Sequence, residues 1–317
     1  MKTILPVTAA LFTMSATMGY ASTAHIVAFG DSLVDGGNIA TATEAQGGEF
    51  DRTIYPSGQF TNGDTWATQL GLTPSLQGGT NFAYGGARAA QNDDDIPDLY
   101  SQAFSFARSG IEVDENTVGT IWIGGNDFLA LEDDATDEDV GNLITTVVSK
   151  IATTVQGLHE FVGIQRFVVL GLPDFGLLPA NAGDPVASAQ ATGLTTAYNA
   201  ALSSTLAGLD TALPTADIDF FDVEGFFGEI ITSVPPELVS VPCLADPAGC
   251  AADPFDYALY DPIHPSAWVH SALADAIGAE IGADVSVPEI PLPASAPLLL
   301  AGLGGLGLWA RRRKSQA

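Results

Sequence analysis

Four histidines occur in the chain, and one of them stands where proton transfer could be organised. His264 lies in Tyr260-Asp261-Pro262-Ile263-His264-Pro265, a turn placed directly before a helix-like stretch, with Asp261 three residues upstream. A carboxylate at that spacing can hold an imidazole in the tautomer that accepts a proton from a hydroxyl. The other reading is that Asp261 and His264 cap the following helix. His25, His159 and His270 fall at the start of the first strand, late in a helix and inside the last helix of the body. The matching nucleophile is Ser32, in Phe29-Gly30-Asp31-Ser32-Leu33, where a β-branched run gives way to a turn. A serine at the carboxyl end of a parallel strand stands where open α/β sheets bind ligands, although Asp-Ser after a strand is also a common helix cap. Asp31, next to Ser32, is expected to fix the turn by hydrogen bonding.

Acyl transfer also requires donors for a developing oxyanion. Asn81-Phe82-Ala83-Tyr84-Gly85-Gly86-Ala87 offers backbone N–H groups unobstructed by side chains, and Gly124-Gly125-Asn126-Asp127 offers the Asn126 amide directly after a strand. Either block alone would pass as an ordinary turn.

The elements that must position these groups are legible as alternating strands and helices. Strand-like runs fall at 25–29, 118–123, 167–170 and 218–221, with helix-like stretches at 137–162, 185–209 and 265–281. Val140, Leu143, Ile144, Val147, Val148, Ile151, Val155 and Leu158 recur at three-and-four spacing, which predicts a helix packed on a sheet through that face. Such alternation predicts an α/β fold with a mainly parallel sheet covered on both faces. The stretches 36–75 and 225–260 resist assignment and read as site walls or lids.

Taken together, the blocks FGDSLVDGGN, NFAYGGA, GGND and DPIH, in that order, resemble the SGNH hydrolases of the GDSL lipase/esterase family. The resemblance covers roughly residues 26–281. It is nearest to the extracellular phospholipase, lecithinase and haemolysin-like esterases, which carry a segment like Gly171-Leu172-Pro173-Asp174-Phe175-Gly176. It implies a three-layer α/β/α, flavodoxin-like fold and hydrolysis of carboxylic esters through an acyl-enzyme. The implied catalytic residues are Ser32, Asp261 and His264. The implied oxyanion donors are the N–H groups of Ser32 and Gly86, with Gly85 as the alternative to Gly86, and the side chain of Asn126. No cofactor or metal is expected. Transfer of the acyl group to another alcohol, or removal of acetyl groups from a polysaccharide, would use the same site. A surface-tethered binding protein with an idle hydrolase fold is the reading from a different class.

Other chemistries fail on residue supply. The lysines are Lys2, Lys150 and Lys314, and none follows a glycine as a phosphate-binding loop requires. There is no G-x-S-x-G elbow and no H-E-x-x-H pair. Runs such as Asp93-Asp94-Asp95 lack the spacing of a calcium loop and read as solvated charge.

Charge separates the body from the ends. The chain carries 10 Lys and Arg against 38 Asp and Glu, with no acidic residue before Asp31 or after Glu289. Five basic residues, Lys2 and the cluster Arg311-Arg312-Arg313-Lys314, lie outside those limits. The body thus holds 5 basic and 38 acidic residues, a net charge of −33. That excludes nucleic acid as a partner, because phosphate binding needs clustered Lys and Arg. The N-terminus, with Lys2, an apolar stretch at 4–18 and Ala21-Ser22-Thr23-Ala24, has the parts of a secretory signal peptide. Cleavage is placed after Ala24, with Ala21 second.

The C-terminus continues past a Pro-rich linker at 286–295 into a segment at 296–317, apolar to Ala310 and then basic. Its apolar run is at the short limit for a bilayer span, with the basic end held cytoplasmic. Ile290-Pro291-Leu292-Pro293-Ala294 resembles the VPLPA-CTERM and PEP-CTERM sorting tails, which implies membrane tethering during export and removal by an exosortase-like peptidase. Gly302, Gly304 and Gly307 match a dinucleotide-binding pattern, but no strand precedes them and no acidic ribose partner follows. The expected organisation is a signal peptide at 1–24, a hydrolase domain at 25–285, the linker and the sorting segment. In the oxidising compartment that export implies, Cys243 and Cys250, the only cysteines, are expected to pair as a disulfide. A zinc site would need two further ligands that are not spaced to supply it.

Overall fold

The computed structural model describes residues 25–131 and 134–282. The expected signal peptide, linker and sorting segment lie outside the described residues. Strands β1 (His25–Gly30), β2 (Thr117–Trp122), β3 (Arg166–Leu170) and β4 (Asp217–Phe221) form one parallel sheet in that order. In register, Phe29 sits beside Ile121 and Val168 beside Thr120. Three helices follow β1: α1 (Asn38–Ala45), α2 (Trp66–Gln69) and α3 (Leu99–Ser109). Two follow β2: α4 (Gly125–Leu129) and α5 (Asp137–Gly157), the latter continuing into a wider turn at Leu158–Val162. Then come α6 (Pro185–Ala212) after β3, and α7 (Val223–Ile231), α8 (Pro247–Ala252) and α9 (Ala267–Glu280) after β4.

Alternation along the strands dictates the layers. Val27, Phe29, Ile121, Phe167 and Val169 point to one face and pack against α3, α5 and α6 through Phe106, Ile151, Val155, Tyr198 and Leu202. Ile26, Ala28, Val118, Trp122, Val168 and Leu170 point to the other, against Trp66, Val223, Phe227, Leu273 and Ile277. Because both faces are apolar, neither can be left to water, and a three-layer α/β/α arrangement results. The stripe expected on α5 is the buried face, with Val147, Val148, Ile151 and Val155 fully inside. Thr136 and Asp139 start that helix with a reciprocal capping box. Asp184 and Pro185 start α6, where the carboxylate accepts from the N–H groups of Val186 and Ala187.

Residues 80–84 extend the sheet beyond β1, an element not legible in the sequence. Ala28 N donates to Thr80 O (3.0 Å), and Phe82 N and Tyr84 N donate to Ala28 O and Gly30 O (2.7 and 3.2 Å). The chain therefore goes from β1 out to this edge and then back across to β2. That reversal makes the carboxyl end of β1 a switch point, where the loops on either side diverge and leave a crevice.

Candidate active site

Strand β1 ends under constraint. At Gly30, a Cβ would stand 2.3 Å from Trp122 O and 2.7 Å from Val34 Cγ2, so a side chain cannot be admitted there. The buried Gln102 of α3 accepts from Gly30 N (2.9 Å) and donates to Gly30 O (2.8 Å), closing both backbone groups at the strand end. Asp31 then accepts from Leu33 N through Oδ1 (3.0 Å), the turn-fixing role expected of it, and its carbonyl accepts from Val34 N and Asp35 N. This tight turn holds Ser32, which is largely buried.

The histidine arrives from the other end of the chain. His264 Nε2 lies 2.7 Å from Ser32 Oγ, and His264 Nδ1 lies 2.7 Å from Asp261 Oδ2. With Asp261 accepting a hydrogen bond from Nδ1–H, Nε2 is left as the acceptor for the serine hydroxyl. The other carboxylate oxygen of Asp261 accepts from Ile263 N and His264 N (both 2.8 Å), which winds the turn on itself. Burial pushes the Asp261 carboxyl up, but the bonds from His264, Tyr55 and the Ile263 N–H outweigh it and hold the group below the usual carboxylate range. Phe60 lies over the His264 ring, centroids 5.1 Å apart. Tyr55 and Phe60 both come from the unassigned stretch 36–75, which is a wall of the site. The other unassigned stretch, 225–260, contributes a backing. Cys243 and Cys250 are joined in a disulfide with Cα atoms 5.2 Å apart, and the N–H groups of Cys243 and Leu244 donate to Leu259 O and Tyr260 O, immediately before Asp261.

The donor blocks are stitched to Ser32 by buried side chains. Asn38 Nδ2 donates to Asn81 O and Ala83 O (2.8 and 3.0 Å), and Asn81 Nδ2 returns a bond to Val34 O (2.7 Å). Asp35 accepts from the N–H groups of Gly37, Asn38, Ile39 and Gly85. The Gly85 N–H is thereby consumed, 2.9 Å from Asp35 Oδ2. Gly86, with φ +86°, turns its N–H elsewhere, and among the described residues no group accepts from it or from Ser32 N. Asn126, in the first turn of α4, donates through Nδ2 to Ala87 O (2.9 Å), which fixes its amide and leaves a second N–H on the same nitrogen. Asp127 accepts from Ala89 N and Ala90 N (both 2.9 Å) and ties the two donor loops together. Ser32, Gly86, Asn126, Asp261 and His264 are accordingly gathered where the chain leaves the carboxyl ends of β1 and β2. Asn38, Asn81, Asp35 and Asp127 sat inside the recognised blocks without an assigned role. Gln102 and Tyr55 had no sequence signal.

The remaining histidines are structural. His270 is buried in α9, its Nδ1 accepting from Trp66 N (3.3 Å), and burial pushes it down to about 3, so it is a neutral core residue. His159 bridges Ile164 O and Thr215 Oγ1, and His25 pairs with Asp114 at the opposite end of β1.

Three buried carboxyls belong to the turns that carry Ser32 and the donor blocks. Burial raises Asp31 to about 7, and Asp35 and Asp127 each to about 6, against the pull of the N–H groups they accept from. For each, the folded state holds its proton to higher pH than the unfolded chain does. The stabilisation is complete below about pH 4 and is lost as pH rises through 6 to 7. Asp261 acts in the opposite sense, its stabilisation lost only in stronger acid. Relief of self-repulsion in a body of net charge −33 favours low pH as well. We therefore expect the Tm at pH 5 to exceed that at pH 8 by about 10 °C, corresponding to a few kcal/mol. Scanning calorimetry at the two pH values checks this, and a lower Tm at pH 5 would contradict it.

Known proteins supply the family. The sequence model of the GDSL-like Lipase/Acylhydrolase family matches residues 26–277. The chain belongs to this family. This is the family that the four blocks resembled. The PEP-CTERM protein-sorting motif matches residues 289–314, in agreement with the resemblance of the tail. Lipase 1 of Photorhabdus luminescens is 32% identical over 159 residues, which are 49% of this chain and 23% of that protein, so the chain matches about a quarter of that relative's length. Among solved structures, the acetylxylan esterase Axe2 of Geobacillus stearothermophilus is similar at 16% identity and a TM-score of 0.47, over 83% of this chain and 96% of its own. The α/β hydrolase LAE5 from the metagenome of Lake Arreo is similar at 18% identity and 0.43, over 83% and 98%. Among the described residues, no helix of this GDSL-family chain is long and apolar enough to cross a membrane.

Proposed function

We propose that the protein is an exported serine esterase that cleaves carboxylic esters through an acyl-enzyme on Ser32. His264 Nε2 takes the Ser32 proton as Oγ attacks the ester carbonyl, and Asp261 stabilises the imidazolium that forms. The negative oxygen of the tetrahedral intermediate is met by the N–H groups of Ser32 and Gly86 and by Asn126 Nδ2. His264 then protonates the leaving alcohol. Water, deprotonated by the same imidazole, attacks the acyl carbonyl and releases the acid with Ser32 restored.

The observation that carries this reading is the unbroken 2.7 Å relay from Ser32 Oγ through His264 to Asp261, assembled from groups more than 200 residues apart. Export is supported by the sorting motif at 289–314. Substrate is a neutral ester with apolar parts: the body is strongly acidic, and the exposed Ile263 beside His264 offers an apolar surface. Such a body approaches a lipid substrate by apolar contact rather than by attraction to anionic headgroups. Treatment with a fluorophosphonate is expected to modify Ser32 alone, read by mass spectrometry of its peptide. Labelling at another serine, or none at Ser32 in active protein, would remove the mechanism.

A further inference from the structure

We infer that Tyr55 is a positioning residue of the catalytic relay, which sets the basicity of His264 by sharing the Asp261 oxygen that His264 uses. This rests on the serine-esterase reading above and goes beyond it. The Tyr55 hydroxyl donates to Asp261 Oδ2 at 2.5 Å, and that same oxygen receives His264 Nδ1 at 2.7 Å. One lone-pair-bearing oxygen thus faces two donors, and charge drawn toward the phenol is withheld from the imidazolium.

The phenol is built into this place. Its ring packs on Phe60 (centroids 5.0 Å apart), Tyr260 (5.9 Å) and Phe50 (6.1 Å), and stands edge-on to His264 at 6.3 Å. The Tyr55 N–H donates to Asp51 O, and Tyr260 donates its hydroxyl to Ile54 O, so the backbone on both sides is tied down. Burial and the bond to Asp261 push the Tyr55 phenol far above its ordinary range, so it remains a donor throughout the working pH range. The other titratable groups acting on this trio are Tyr260 and Asp51 next to Tyr55, and the neutral His270 of α9 near His264.

The role has a directional consequence. With the hydroxyl removed, Asp261 gives its full charge to His264, which then keeps its proton to higher pH, while the carboxylate loses one of its restraints. For Tyr55→Phe in the full chain, the acid limb of kcat/KM toward p-nitrophenyl butyrate is expected to move up by about 0.5 pH unit or more, with kcat/KM at the optimum down about tenfold. Replacing Tyr55 by 3-fluorotyrosine keeps the shape and strengthens the donor, and the limb is expected to move down. Tyr257→Phe is the control: it removes a hydroxyl bonded to Asp246 rather than to Asp261, and should leave the limb in place. A loss of activity in Tyr55→Phe with no movement of the limb, or an equal movement in Tyr257→Phe, would overturn the inference in favour of a packing role. Failure of the esterase reading itself is registered separately, by retained hydrolysis in Ser32→Ala.

Discussion

Replacing Ser32 with alanine is expected to lower kcat for p-nitrophenyl esters by about 10⁴- to 10⁶-fold, while leaving the Tm within about 2 °C of the parent. The two parts of this expectation have separate causes. In the proposed mechanism the hydroxyl oxygen forms the covalent bond to the acyl group, and among the described residues no other hydroxyl shares the His264 Nε2 contact. Its removal leaves only the oxyanion donors and substrate binding, which retain a residual rate above the uncatalysed one. Stability is spared because the turn is held by Asp31, Gln102 and backbone bonds, none of which involve Oγ. Since the proposed nucleophile and base act as a unit, adding His264→Ala to Ser32→Ala should cost little more. Steady-state kinetics with a titration of active sites measures both variants, and hydrolysis by Ser32→Ala at the parental rate would refute the assignment of the nucleophile.

The second large effect is expected at Asn126. Its side chain has one N–H engaged with Ala87 O at 2.9 Å, which fixes the plane of the amide and aims the second N–H into the crevice beside Ser32 in the proposed arrangement. A donor aimed at charge that exists only in the transition state changes kcat more than KM. Asn126→Ala is therefore expected to reduce kcat by about 10²- to 10³-fold with KM changed by less than about threefold. Asn126→Asp should be worse than alanine, because it places a negative charge where the oxyanion forms, although its shape is nearly that of the amide. If kcat in Asn126→Ala stayed near the parental value, or if the loss appeared entirely in KM, Asn126 would have no part in the oxyanion hole. The buried Asp127 beside it holds the Ala89 and Ala90 N–H groups and keeps the donor loops together, so Tm measurements on the same variants separate loss of the donor from loss of the loop.

Local signals carried much of the candidate site. Gly30, Ser32, Gly86 and Asn126 are short-range features, set by turns that follow strands, and a turn leaves its requirement in adjacent residues. The Asp261–His264 pair is local too, three residues apart in one turn. The ambiguity between Gly85 and Gly86 could not be resolved from sequence, because it depends on Asp35, fifty residues away, taking the Gly85 N–H. Gln102 was equally invisible. A glutamine in an amphipathic helix reads as surface, yet this one is fully buried because both its amide groups find partners on Gly30. Residues 80–84 pair with β1 through only a few bonds, with too few residues for an alternating pattern to emerge. Tyr55 belongs to a stretch rich in glycine and threonine that has no periodicity, so its long-range contacts left no trace in the local sequence.

The sequence by itself determined the layered α/β fold, through apolar strands that must be covered on both faces, and the family, through four short blocks that also hold the residues of the proposed chemistry. Those are properties of residue type and short spacing. Tertiary structure decided which groups remain available for chemistry: the Gly85 N–H is spent on Asp35, that of Gly86 finds no acceptor among the described residues, and the Asp261 oxygen is shared between His264 and Tyr55. Hydrogen-bonding capacity is finite and is allotted only when distant segments meet, so a donor's identity can be written in the sequence while its availability cannot.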